Sequence, residues 1–237
     1  MAQPSPRTSL DPLLRPAAFF DLDRTLISGA SGFYWSRAAA KAGLIPRRVL
    51  AENAYRNIRF RMSGSTDAGT DRVMKQLSDI IRDKPVSDFE HLNPGVVKAV
   101  MPRLYPAILE LAREHQRAGR PIYIVSAASH DTVSMIAEEL GFDGASGTRL
   151  QHVDGIYTGE LDGPFSYREG KVKGMQALAK SESVSLKDSY GYSDSESDLP
   201  MLRAVGIPVA VNPDKELERV AREEGWEIIR AKRARRR

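Results

Sequence analysis

The sequence predicts an α/β fold: a doubly wound parallel sheet carrying a helical segment inserted after its first strand. Three observations predict it. Four short apolar runs each end in polar residues, as buried parallel strands do. Helical patterns separate most of these runs. One long stretch, residues 30–100, breaks the alternation with helical spacing and no strand-like run.

The first run, Ala17-Ala18-Phe19-Phe20, ends in Asp21-Leu22-Asp23. The insert follows, with Phe33, Trp35, Val49, Tyr55, Ile58, Val73, Leu77 and Ile80 among its apolar positions. A helix is expected over about 105–118, then the strand Pro121-Ile122-Tyr123-Ile124-Val125, which ends at Ser126. A second helix is expected over about 130–141. Residues 150–164 alternate around Asp154-Gly155, the signal of a β-hairpin. A helix over 169–181 leads to Ser189-Tyr190-Gly191-Tyr192 and then Ser193-Asp194. Helix 198–205, the strand Ile207-Pro208-Val209-Ala210-Val211 and helix 214–224 complete the pattern. Ligands in such sheets bind beyond the C-terminal ends of the strands, which is where the polar residues fall.

The expected division is a disordered tail at 1–16, a catalytic core from 17–29 and 101–229, a helical cap at 30–100, and a basic tail at 230–237. At 237 residues the chain can bury a core without staples, and 41% hydrophobic content is globular. The absence of cysteine excludes a disulfide scaffold, a Cys-ligated metal and a thiol nucleophile. No run approaches the roughly 18–20 apolar residues of a membrane span. The first 16 residues hold four prolines and no signal-peptide apolar region. A soluble, cytoplasmic protein is expected. The net charge of +4 is uneven: residues 230–237 carry six positives and no acid, and the cap carries 12 Lys/Arg against 7 Asp/Glu. Residues 101–229 are acidic, with 14 basic and 21 acidic side chains. A basic tail can make weak contact with nucleic acid or anionic lipid, and is also an ordinary solvated terminus.

Asp21 and Asp23 flank Leu22 at the end of an apolar strand, so extended geometry puts both carboxylates on one side. Taken alone, such a pair is also an ordinary strand-to-loop junction. A second acidic cluster, Ser193-Asp194-Ser195-Glu196-Ser197-Asp198, again follows a strand. Hard oxygen donors at one sheet edge, without His or Cys, describe a Mg²⁺ site. That suits a phosphorylated substrate. A hydroxyl and a fixed cation would complete it. Ser126 follows the second strand, and Lys171 stands near the start of the 169–181 helix.

These motifs resemble those of the haloacid dehalogenase superfamily of phosphatases. Asp21-Leu22-Asp23-Arg24-Thr25-Leu26 is similar to its first motif, DxDxT. Ser126 is similar to the second. Lys171, 23 residues before Asp194, and Ser193-Asp194-x-x-x-Asp198 are similar to the third and fourth. The helical insert matches the phosphoserine phosphatase-like branch, subfamily IB. The resemblance covers about residues 17–229. It implies a phosphatase acting on a small phosphorylated substrate, with no nucleic acid required. Asp21 would be the nucleophile and Asp23 the acid and base. Mg²⁺ would sit on Asp21, the Asp23 carbonyl, Asp194 and Asp198. Ser126 and Ala127 would hold phosphate oxygens, Lys171 would neutralise the phosphoryl group, and Thr25 would pin the loop. Two departures stand out. Ala30 occupies the position where phosphoserine enzymes carry a Glu, and Ser193 replaces a Gly. Phosphoserine hydrolysis proper, phosphoryl transfer to another alcohol, and a tail-anchored binding protein are the alternatives. The basic balance of the cap fits an anionic substrate; Arg56, Arg59, Arg61 and Arg72 are the first cap cations to test for it, and a solvated helix face is the ordinary alternative for most of them.

Overall fold

Alternation of buried side chains sets the sheet. The computed structural model describes residues 14–46, 48, 74–76 and 78–233. Strands β1 (Ala18–Phe20), β2 (Ile122–Ser129), β3 (Gly144–Thr148), β6 (Tyr190–Ser193), β7 (Ile207–Val211) and β8 (Glu227–Ile229) form one sheet in the order β3-β2-β1-β6-β7-β8. Every pairing in it is parallel. Ala18, Phe20, Ile122, Ile124 and Tyr192 are buried in one layer. Phe19, Tyr123 and Val125 enter the other, with Met175 and Met201. Fully burying a side chain of this size is worth about 1.5–3 kcal/mol, which offsets the short hydrogen-bond ladder of three-residue β1. Helices α4 (Pro106–Arg117) and α5 (His130–Glu139) contribute to the first layer. Helices α6 (Glu169–Ser181) and α7 (Leu199–Arg203) contribute to the second. Helix α8 (Lys215–Glu223) packs against β7 and β8.

The sequence pattern does not reveal β3 or β8. Strand β3 reads GASGT and has no apolar run. Close approach selects it instead: a Cβ on Gly147 would lie 2.7 Å from His130 Cα and 2.8 Å from Ala128 O. Strand β2 runs on past Ser126, and its register against β3 shifts between Val125 and Ser129. Residues 126–128 therefore bulge at the sheet's C-terminal edge.

Between β1 and α4 lie α1 (Ser31–Lys41), helical residues 74–76 and 78–81, α2 (Ser87–Glu90) and α3 (Asn93–Val100). Helix α1 packs on α3, and α3 on α5. Val49, Tyr55, Ile58, Val73, Leu77 and the cations Arg56, Arg59, Arg61 and Arg72 lie outside the described residues.

Strands β4 (Leu150–Val153) and β5 (Ile156–Leu161) form the expected hairpin. Its turn places Asp154 at φ 50° and Gly155 at φ 76°, the left-handed pair of a type I′ turn. This hairpin packs on the insert, although its sequence falls in the segment expected as core. Asp83 N donates to Tyr157 O at 2.9 Å, and Tyr157 N donates to Lys84 O at 3.0 Å. Tyr157 is buried with Ala39, Ile45, Ile81, Phe89 and Leu92.

The N-terminal tail was expected to be free through residue 16, but Arg15 is fixed. Its N–H donates to Ser183 O, and its carbonyl accepts from Ser185 N. Residues 1–13 and 234–237 lie outside the described residues. Arg230 pairs with Glu218, so the basic tail begins anchored. Among the described residues, no helix is long and apolar enough to cross a membrane.

Candidate active site

The β1–β6 register aligns Phe20 with Tyr192, so the residues just past each strand meet at one edge. Asp21 N continues the ladder by donating to Tyr192 O at 2.9 Å. The chain then turns back. Leu26 N and Ile27 N both donate to Leu22 O at 3.0 Å, and Arg24, at φ 64°, donates its N–H to Gly29 O. Thr25 is fully buried, and its hydroxyl donates to Asp21 Oδ2 at 3.0 Å.

Lys171 reaches this edge from the first turn of α6. That turn sits against the carbonyl of Phe165: a Cβ on Gly170 would lie 1.7 Å from it. Lys171 Nζ donates to Asp21 Oδ1 and to Asp198 Oδ2, each at 2.7 Å. All three side chains are buried. Ser193 Oγ donates to the same Asp198 Oδ2 at 2.6 Å. Asp198 Oδ1 is buried with no partner.

Asp214 brackets the second acidic loop. Its N–H donates to Asp194 O at 2.8 Å, and its carboxylate accepts from Glu196 N and from Leu217 N, capping α8. Arg168 and Glu196 pair through both guanidinium nitrogens at 3.3 and 3.2 Å, tying the approach to Lys171 to the same loop.

The electrostatics follow from four crowded carboxylates. Burial pushes the Asp21 carboxyl up to about 6. Lys171 opposes this, and the charges of Asp198 and Asp23 add to it. Burial, then the charge of Asp21, pushes Asp194 well above the usual range, with Arg24 opposing. Burial also raises Asp23, against hydrogen bonding from Ser31. Burial disfavours the Lys171 ammonium, but Asp198 and Asp21 outweigh it and hold the amine protonated. Negative charge exceeds positive in the cluster, and an orphaned oxygen remains. Both features suit a small hard cation. Among the described residues, no three His, Cys, Asp or Glu side chains form a preformed cage. Open coordination by one or two carboxylates plus water and substrate oxygens is the Mg²⁺ pattern.

The structure therefore joins Asp21, Thr25, Lys171 and Asp198 by hydrogen bonds and places Asp194 within their field. Asp23 bonds elsewhere, to Ser31 N at 2.8 Å. Ser126 and Ala127 lie in the bulge of β2. Ser126 Oγ accepts from Ala128 N at 3.2 Å, and Ala127 O accepts from Thr148 Oγ1 at 2.8 Å. Sequence reasoning missed what Ser31, Ser193, Asp214 and the Arg168–Glu196 pair do. Of these, Asp214 carried a sequence signal for its role, as an Asp at the start of a helical pattern, while Ser193 stood out only as a departure from the fourth motif.

A family model described as haloacid dehalogenase-like hydrolase matches residues 18–203. A phosphoserine phosphatase of Mycobacterium tuberculosis is 34% identical over 219 residues, spanning 91% of this chain and 70% of that protein. A histidinol-phosphatase of Neisseria meningitidis is 32% identical over 224 residues, spanning 92% of this chain and all of that protein. A solved structure described as a phospho-aspartyl intermediate analogue of phosphoserine phosphatase matches with TM-score 0.66 and 22% identity, covering 93% of this chain and 95% of that one. At that identity the likeness is one of fold.

Proposed function

The chain belongs to the haloacid dehalogenase-like hydrolases, and we propose that it is a Mg²⁺-dependent phosphatase of small phosphomonoesters working through Asp21. The observation that carries this is Lys171 Nζ, held 2.7 Å from both Asp21 and Asp198 in a buried cluster. A carboxylate fixed on both oxygens, by Lys171 and Thr25, is aimed as a nucleophile.

Asp21 attacks phosphorus, the bond from phosphorus to the leaving oxygen breaks, and that oxygen takes a proton from Asp23. Asp23 then takes a proton from water as the water oxygen attacks the aspartyl-phosphate. Phosphate leaves, and both acids return to their starting states. Lys171 balances charge on Asp21 and the phosphoryl group without moving. Asp21, Asp194 and the Asp23 carbonyl would hold Mg²⁺, with Asp198 binding directly or through water. The ion supplies charge neutralisation at the phosphoryl oxygens. Ser126 and Ala127 would receive the remaining phosphate oxygens.

The leaving group is open within the phosphomonoesters. The relatives include both a phosphoserine phosphatase and a histidinol-phosphatase. Helix α1 opens on Ala30 with no acid in its first turn, which gives the phosphoserine reading no added support. A panel of phosphomonoesters assayed with Mg²⁺ assigns it. Asp21→Asn tests the mechanism: phosphate release falls by on the order of 10³-fold or more while the melting temperature holds. Wild-type turnover in that variant overturns the assignment.

A further inference from the structure

Helix α1 lacks a cap of its own. Its N-cap residue is Ala30, and no side chain of that residue accepts from the helix. The first N–H groups of a helix need acceptors. The one at Ser31 finds Asp23 Oδ1, eight residues back and 2.8 Å away. The intervening loop is closed by backbone bonds: Arg24 N to Gly29 O at 3.1 Å, and Ser28 N to Arg103 O at 2.8 Å. Ser31 itself is 1% exposed.

We propose that Asp23 is the surrogate N-cap of α1, and that the Ser31 N–H is a positioning group which fixes the orientation of the proton donor. This rests on Asp23 acting as the acid under the reading above. The geometry has a chemical consequence. With Oδ1 accepting from an N–H, the acid's proton sits on Oδ2. That leaves Oδ2 to deliver it to the leaving oxygen, and Oδ1 to keep the bond afterwards. The positive end of the α1 dipole favours the carboxylate that remains. The first helix of the insert is thereby mechanically joined to proton transfer.

Ser31→Pro tests it cleanly. Proline is well tolerated at the first helical position. The preceding Ala30, at φ −119° and ψ 120°, already has the extended backbone that proline requires before it. The substitution deletes the N–H and keeps the helix. A mispositioned acid matters most where the leaving group needs a proton. We expect kcat/KM on an alkyl phosphomonoester to fall by about 10- to 100-fold. On p-nitrophenyl phosphate, whose leaving group needs none, it falls by less than about threefold. Ser31→Ala, which keeps the N–H, returns the ratio of the two substrates toward wild type. Equal losses on both substrates, or none on either, overturn the proposal.

A second measurement needs no proline. Asp23→Ala removes the cap, so amide hydrogen exchange across residues 31–34 accelerates while β1 and β6 stay protected. Unchanged exchange there overturns the proposal. Loss of activity in Asp21→Asn alongside a flat substrate ratio in Ser31→Pro sinks only this inference. Full activity in Asp21→Asn sinks the reading beneath it.

Discussion

Asp198 illustrates how much of the chemistry rests on single atoms. Its Oδ2 accepts from both Lys171 and Ser193, while Oδ1 stays free for a ligand. A Gly at position 193 offers no such donor. Hydrogen bonds to charged groups are worth about 1.5–3 kcal/mol, so Ser193→Ala is expected to lower kcat by about 10-fold or more. KM for substrate should change little, because Ser193 is fully buried behind the carboxylate. Steady-state kinetics at saturating Mg²⁺ check this. An unchanged kcat means that Lys171 alone orients Asp198.

Elements came through from sequence in proportion to their apolar content. Strand β7 and helix α6 match the residues expected for them, because buried runs and 3.6-residue spacing leave a direct imprint. Strand β3 does not, because backbone proximity selects it. The acids and Ser126 were legible as residues placed just past strands, and Lys171 as a cation near the start of a helical pattern. The partners of Asp23 and Asp198 were not, since they depend on how a turn closes. Gly147 tests the selection of β3 directly. Of the three atoms that a Cβ would meet there, two are backbone of the β2–α5 junction, at 2.7 and 2.8 Å. Neither can swing aside. Gly147→Ala is expected to cost about 1–3 kcal/mol by overpacking. It should also reduce activity by shifting residues 126–128. Urea unfolding together with kcat/KM checks both; an unchanged midpoint means that β3 has room to move.

At the scale of the whole molecule, one route by which pH reaches stability is the buried His115. His115 is 2% exposed between α4 and the sheet. Arg120 Nε donates to its Nδ1 at 2.7 Å, so its Nε2–H donates to Tyr192 Oη at 2.7 Å. Burial, then the charge of Arg120, holds its pKa down to about 4 from 6.5. The unfolded chain therefore takes up a proton first as pH falls. The contribution of His115 to stability is full above about 6.5 and declines towards pH 4, by up to about 3 kcal/mol. Melting temperatures at pH 7 and pH 5 should differ more in wild type than in His115→Gln. Equal differences assign the acid sensitivity elsewhere.

The docking of the β4–β5 hairpin has a further consequence for how this architecture can be taken apart. The hairpin enters the chain more than a hundred residues after the insert begins, yet Tyr157 is packed among insert side chains. Its two ends run to Thr148, which bonds Ala127 O, and towards Gly170, which seats Lys171. The insert is thus sewn to the rest at three points of the chain rather than two. Excising residues 30–100 would not release a tidy smaller enzyme. It would strip the cover from Tyr157 and leave a two-stranded ribbon too small to hold itself together in water.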